Sequence, residues 1–546
     1  MTGLLLNGLV AVPAGFALLT ALWSRRESTA VTAAVVGGFV TLAWSLWLVL
    51  GSDAGYDGPL GAPARSVDVV WLEALDLHWR LGIDGISGPL VLMSTLIFAL
   101  GLLSLLRHAP AAAEGGPSRR ASLAALLLLI EAGVLGSFLA LDMVLFFVFF
   151  EVALIPMWFV ISSWGDAHDA VARRRAATRF LVFTVIGSAL MLVGFLLVGA
   201  EFGSFDIVEV TASYSPSGPT ALAASLLVAL GLAVKTPLWP LHIWLPDAHS
   251  KAPTVGSVLL AAVLLKLGTY GFLRFWMPVT SPDWLLVPVV AALAVVGILY
   301  AALACLAQTD LKRLIAYSSV GHMGFVVLGA ATFTVGGVQA AVFASVAHGL
   351  ITGLLFFLAG AIKDRFGTTD LAELRGLYGR LPRLGGVFAF AAMASLGLPG
   401  LAGFWGEMLA IRAAVDQHAA LPEVTYRWLA FIAALGVILT SAYFLALMRS
   451  MLQTGVTAGG APGLEVDAPL RVAAGLGAGA AVTPTSDAGA AHATGAAGAP
   501  AVRDVDGIEW ATWSPLVVLT VLLGVVPGLL LTPVADAAVA LLGGFR

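Results

Sequence analysis

Long apolar runs separated by short polar stretches dominate this chain. About 20 apolar residues cross the hydrocarbon core of a bilayer as helix. Runs of that length recur near 3–23, 29–50, 84–106, 119–139, 142–164, 177–200, 219–240, 253–276, 284–305, 310–332, 337–360, 384–411, 427–451 and 512–533. The pattern predicts an all-α polytopic membrane protein of about 14 transmembrane helices. The first run, MTGLLLNGLVAVPAGFALLTALWSRR, has no basic residue ahead of its apolar core and no clean small-residue cleavage site. It therefore reads as a retained span. Two stretches depart from the pattern. In residues 51–83, VDVVWLEALDLHWRLGI alternates apolar and polar positions, which predicts a short strand pair at the membrane surface. Residues 453–508 are rich in Gly and Ala and read as a flexible linker, with a partner-docking tail as the alternative.

Two runs are interrupted from within, by KTPLWPLHIWLP starting at Lys235 and by SLGLPGLAGFWGE ending at Glu407. Pro237 and Pro240 each remove a backbone donor and displace a helical carbonyl, so the helix should break beside Lys235. Inside a bilayer such breaks are tolerated only where they face protein or a wet cavity. Each break falls in the fourth of five consecutive spans, and an odd number of spans inverts the second set relative to the first. Paired interruptions in two inverted repeats point to a transport site. The predicted organisation is three helices with an extracytoplasmic loop at 51–83 (1–118), a first five-helix unit (119–276) and a second (277–452). The linker 453–508 and a C-terminal transmembrane helix (509–546) follow.

Composition agrees: 60% of residues are hydrophobic and 11% charged, against about 25% charged in soluble domains, and mean hydropathy is +0.97. A net charge of −4 gives no nucleic-acid signal. The single cysteine, Cys305, excludes an internal disulfide and a cysteine-held zinc or iron–sulfur site in this chain. Of 28 Lys and Arg, twenty fall in one set of alternate loops and six, Arg274 among them, in the outer set, which predicts both termini outside. The remaining two are Lys235 and Lys266, both within apolar runs.

A lysine at mid-bilayer depth costs at least ~2.5–3.5 kcal/mol on insertion scales, so these two call for a reason. Glu151 lies deep in FFVFFEVALIPMWFV, either as a partner for Lys235 or as a neutral or serine-bonded structural residue. Lys266 has no carboxylate near it in sequence, which suits a side chain that gives up and regains a proton; snorkelling to an interface is the alternative. Glu407 follows the second break. If the half-helix starts near Phe404, it sits in the first turn, where the dipole favours an anion, and Lys235 ends the first half-helix of its own span. His322 and His348 lie in consecutive spans, with Ser318, Ser319 and Thr352 nearby in sequence; they read as a relay or as core histidines. His249 flanks the first break, as does His242, and is a weaker candidate for proton uptake. Glu131 is another polar-axis member or a packing contact, and Asp142 and Asp310 read as helix caps. No spacing suggests a metal site.

With these residues quoted, the chain resembles the proton-translocating antiporter-like subunits of respiratory complex I over nearly its full length. The matching stretches are LGIDGISGPLVLMSTLI, FFEVALIPMWFVI, the block from AVKTPLWPLHIWLPDAHSKAPTVGS to LKLGTYGFLRF, TDLKRLIAYSSVGHMGFVVLG and GLPGLAGFWGE. The PLHIWLPDAH block is shared with multisubunit sodium/proton antiporters, which remain the alternative function, and with membrane-bound hydrogenases. SSVGHMGF and the acidic Glu407, where related subunits carry lysine, look like the M branch of the family. The resemblance implies fourteen spans with two inverted five-helix units, and a modulating pair Glu151–Lys235. It also implies Lys266 as central proton carrier and Glu407 as the carrier toward the exit. It further implies a non-redox subunit of a plasma-membrane NADH:quinone oxidoreductase, partnered by neighbouring membrane subunits and the lipid bilayer. FMN, iron–sulfur clusters and quinone would then reside in partner subunits, with no cofactor in this chain. A scaffold with a vestigial polar axis is a third reading.

Overall fold

The computed structural model describes residues 2–50, 66–75, 77–107, 120–452 and 503–543. The expected linker falls mostly outside these residues, as does the first part of the 51–83 loop. The chain is a multi-pass membrane protein. Among the described residues, twelve helices are long and apolar enough to cross a membrane. They are α1 (Thr2–Leu22), α2 (Glu27–Leu50), α3 (Ser87–Ser104), α4 (Arg120–Leu139), α5 (Met143–Trp164) and α6 (Ala170–Phe202). After a short α7 (Ile207–Ser213) come α8 (Gly218–Lys235), a short α9 (Trp244–Lys251), α10 (Thr254–Val279) and α11 (Leu286–Leu306). Next are α12 (Leu311–Ala330), α13 (Val335–Phe366), the half-helices α14 (Pro382–Ser395) and α15 (Ala402–Val415), α16 (Glu423–Leu452), α17 (Gly507–Val525) and a final α18 (Gly528–Leu542). Adding α12 and the broken α14–α15 to the twelve accounts for all fourteen expected crossings.

The departures are local. Helices α6 and α13 outrun their apolar cores by a turn or more, because basic residues at those ends find partners. Arg173, for example, donates to the carbonyls of Ser162 at 2.8 Å and Asp166 at 2.9 Å. The run near 219–240 stops being helix at Lys235. The last run, expected near 512–533, is two helices that separate around Pro527. The strand pair exists as β1 (Ser66–Leu72) and β2 (Leu77–Gly82), antiparallel and seated on α1, where the Trp79 indole donates to Asn7 at 2.8 Å.

One local device occurs twice. Asp142 caps α5, accepting from Val144 and Leu145, and the chain beside it pairs with the segment after α6: Met143 N–H donates to Phe205 O at 3.0 Å and Ile207 N–H to Leu141 O at 2.9 Å. Asp310 caps α12, and there Leu311 N–H donates to Thr369 O and Leu371 N–H to Thr309 O, both at 2.8 Å. The first clip sits at the hairpin end, where Leu141 N–H reaches Arg80 O at 2.9 Å. The second sits at the opposite end, beside α9, where the Lys312 amine donates to Ala252 O at 3.0 Å. Across the 22 residues of α5, roughly 33 Å of helix, the same clip is thus built at both ends of the molecule.

Candidate functional site

The site is organised by α10, the most deeply enclosed helix. It is not wound evenly. Leu260–Leu264 and Phe272–Trp276 form wide π-turns on either side of Lys266, a distortion common at functional positions. The Lys266 side chain folds back to donate to Ala261 O, five residues earlier, at 2.8 Å. Its Nζ lies 2.6 Å from Nδ1 of His348 on α13. The His348 ring meets the His322 ring edge to face at 5.4 Å between centroids. His322 Nε2 donates to Ser395 O at 3.0 Å and lies 3.5 Å from Glu407 Oε1. Lys266, His348, His322 and Glu407 therefore form one line of titratable groups, running from α10 to the break between α14 and α15.

The hydrogen-bond inventory fixes part of the proton arrangement. A carbonyl only accepts, so His322 holds its proton on Nε2. His348 faces an amine at Nδ1: opposite an ammonium it can only accept there and carries hydrogen on Nε2, whereas a neutral amine also allows it to donate from Nδ1.

Lys235 is the last residue of α8 and is buried, with its ammonium 4.6 Å from the centre of the Phe150 ring, a cation–π placement. Glu151, the expected partner of Lys235, makes no direct ion pair with it, and one carboxylate oxygen of Glu151 and the Lys235 amine have no hydrogen-bond partner among the described residues. Neighbouring residues on a helix point about 100° apart, so when Phe150 covers the ammonium, Glu151 is turned aside. The break beyond Lys235 packs against α10 at Gly268. A Cβ there would lie 2.4 Å from Thr236 Oγ1 and 2.8 Å from Thr236 N, a contact only glycine permits. The two lysine sites are therefore joined backbone to backbone.

Glu407 is also corrected. Helix α15 starts at Ala402, not near Phe404, so Glu407 is its sixth residue, beyond the first turn where dipole stabilisation acts. Gly397, at φ +81°, lets the break pass close under the carboxylate; a Cβ there would lie 2.8 Å from Glu407 Oε2. His249 is fully buried and stacks on Phe356 at 4.5 Å, and neither ring nitrogen has a hydrogen-bond partner among the described residues. No hydrogen bond among the described residues joins it to Lys266 or His348. Glu131 is likewise buried with both oxygens unpartnered among the described residues. Ser318 and Ser319 turn back on Ile315 O rather than toward the histidines.

Three features escaped the sequence. The π-turns leave no local signature. Ser395, which ends α14, looked like part of a loop. Arg274 read as an outer loop charge, but it is buried and donates to Asp84 at 2.6 Å; the cap-like spacing of Asp84 and Ser87 was the one available hint. One cavity, of about 340 Å³, opens at the α9 end of the molecule, among Asp166, Lys312, Lys363 and Thr254 at the start of α10. Another, about 20 Å³, lies within the line, between His348 and Glu407.

Residues 140–433 match the family model described as NADH:quinone oxidoreductase/Mrp antiporter, transmembrane. The chain is similar to NADH-quinone oxidoreductase subunit M of Rhodobacter capsulatus, 38% identical over 82% of this chain and 85% of that protein. A chain in the structure of respiratory complex I from Thermus thermophilus with bound NADH superposes with TM-score 0.79 at 28% identity, covering 99% of this chain and 100% of that one. A chain of the Mrp complex from a Dietzia species shares the fold, with TM-score 0.75 at 21% identity over 99% of this chain and 98% of that one.

Proposed function

The chain belongs to the NADH:quinone oxidoreductase/Mrp antiporter family and is an antiporter-like membrane-arm subunit of the complex I type; from that premise we propose that it moves protons along the buried Lys266–Glu407 line. The observation that carries this reading is the 2.6 Å contact between Lys266 and His348. A proton leaving Lys266 Nζ forms Nδ1–H on His348, and the imidazole releases the proton on Nε2 toward Glu407. Lys266 goes from charged to neutral and Glu407 from anion to acid, so charge balances. Uptake runs from the 340 Å³ cavity at the basic end, which we assign to the cytoplasmic face of a bacterial plasma membrane, with both termini on the other side.

Glu151 and Lys235 set the bias. At an assumed ~7 Å and an effective dielectric of about 20, one unit charge acts on another with about 2.4 kcal/mol. When a neighbouring subunit draws Glu151 away, the uncompensated Lys235, held against α10 through Thr236 and Gly268, repels the proton on Lys266. We assign the units 119–276 and 277–452 to two inverted repeats, a reading supported by the duplicated aspartate clip. In this scheme FMN, the iron–sulfur clusters and quinone belong to partner subunits; the one cysteine of this chain cannot by itself hold a cluster. The proposed partners are the adjoining membrane subunits.

Sealed vesicles carrying Lys266→Ala in the assembled complex test the scheme. NADH-driven external acidification should be lost at matched complex content, and full pumping would refute it. The sodium/proton antiporter alternative predicts instead that NADH oxidation is untouched while ion exchange disappears.

A further inference from the structure

We propose that Thr352 and Ser395 are positioning residues for one bound water that carries the proton from His348 to Glu407, a step that rests on the proton-translocating reading above. The place for it is the cavity of about 20 Å³ between α13 and the half-helices α14 and α15, lined by His348, Thr352, Ser395 and Glu407 among others. One water needs roughly 10–15 Å³ and two to four polar partners. Four are supplied: His348 Nε2, Thr352 Oγ1, Ser395 Oγ and Glu407 Oε1 are buried, and none has a hydrogen-bond partner among the described residues. Buried polar atoms are nearly always paired, so four around one small cavity call for a common ligand.

The fold explains why these two hydroxyls are free. His348 and Thr352 are one turn apart on α13 and share a face. Ser395 is the last residue of α14, and the break that follows leaves its side chain beside the cavity. Other hydroxyls nearby are already engaged: Ser318 and Ser319 bond to Ile315 O at 2.8 and 3.1 Å, and Ser345 meets Thr269 at 3.2 Å. A hydroxyl donates and accepts, so Thr352 and Ser395 can hold the water before and after it reorients. In the transfer, His348 Nε2–H breaks as a water O–H forms, and a second water O–H breaks as the Glu407 O–H forms. The water is regenerated.

The experiment compares Thr352→Val, Ser395→Ala, the double variant and Thr352→Ser in the assembled complex, with Glu407→Gln alongside. The readouts are protons pumped per NADH oxidised and infrared difference spectra in ordinary and ¹⁸O water. Each single loss of a hydroxyl should lower pumping several-fold and the double further, with Thr352→Ser close to wild type. The double variant should also lose one ¹⁸O-sensitive O–H band and shift the Glu407 carboxyl stretch upward. Valine keeps the shape of threonine, so a purely structural role would leave that band in place, and its persistence would overturn the assignment. Normal pumping by the double variant, with Glu407→Gln inactive, would overturn the bound water alone. Normal pumping by Glu407→Gln would overturn the underlying reading.

Discussion

Replacing Asp84 with asparagine should loosen the helix that carries Lys266. Arg274 lies in the second π-turn of α10 and is 1% exposed, while Asp84, just ahead of α3, is 2% exposed. The guanidinium donates to Asp84 Oδ2 at 2.6 Å and to the Tyr270 hydroxyl at 3.3 Å. Asp84 Oδ1 independently accepts from the amides of Ile86 at 3.1 Å and Ser87 at 2.9 Å. Asparagine keeps that second set of bonds but turns an amide donor, or a neutral oxygen, toward a buried cation. At about 4 Å and an effective dielectric of 20, the lost attraction is about 4 kcal/mol. Breaking buried pairs by removing one partner typically costs about 3–5 kcal/mol. The assay is retention of the chain in the detergent-solubilised complex after a graded heat step. Asp84→Asn should fall apart at distinctly lower temperature, and adding Arg274→Met should recover much of the loss because no buried charge is then unpaired. A single variant as heat-resistant as wild type would refute the clamp.

Gly268→Ala should impair pumping without blocking assembly. Helix propensity favours alanine by about 1 kcal/mol, but the added carbon would sit 2.8 Å from Thr236 N, where ordinary contact begins at 3.4 Å. Overpacking of this kind costs about 1–3 kcal/mol, so the lysine sites should shift apart and vesicle acidification should drop several-fold; unchanged acidification would mean the contact transmits nothing. Asp166 predicts an acid-sensitive loop. Burial pushes its carboxyl up, but the Lys363 charge, the His168 amide and Lys251 outweigh this and hold it below the ordinary range. A depressed carboxylate stabilises above its unfolded value, about 3.9, and that contribution is lost as pH falls through the lower folded value. Hydrogen-exchange protection in residues 165–169, taken relative to the intrinsic rate at each pH, should therefore fall below about pH 4, and in Asp166→Asn that protection should no longer change there.

Much of the fold was legible because span length, loop charge and helix-breaking prolines are local properties. Asp142 and Asp310 could be read as caps for the same reason. What the sequence hid depends on the angle at which side chains leave their helices. Glu151 and Lys235 carry complementary charge, but the string of letters does not say that Phe150 takes the place over the ammonium. The starting residue of α15 moved Glu407 out of the first turn, because Gly400 and Leu401 already complete the break. Arg274 looked like an outer loop charge because its partner Asp84 is 190 residues away. Lys266 and His348, 82 residues apart, could be named singly but not joined.

The two breaks show how one scaffold position acquires two uses. After Lys235, Thr236 N–H donates to Leu232 O at 2.8 Å and Leu238 N–H to Ala233 O at 2.9 Å; after Ser395, Leu396 N–H donates to Ala392 O at 3.0 Å and Leu398 N–H to Met393 O at 3.2 Å. The chain leaves the helix by the same bonds, so Ser395 occupies the position of Lys235. Twelve residues further on in each break stands an acid, Asp247 in the first and Glu407 in the second. Asp247 is partly exposed and gripped by Arg179 and Arg313, which ties α9 to α6 and α12. Glu407 is buried, meets no Lys or Arg among the described residues, and faces His322 and the small cavity. The first break therefore keeps its mobile charge at the helix end, on Lys235, and makes its acid a latch. The second has a hydroxyl at the helix end and an acid that meets no Lys or Arg among the described residues, the acceptor beyond the break that the proposed transfer from His348 requires.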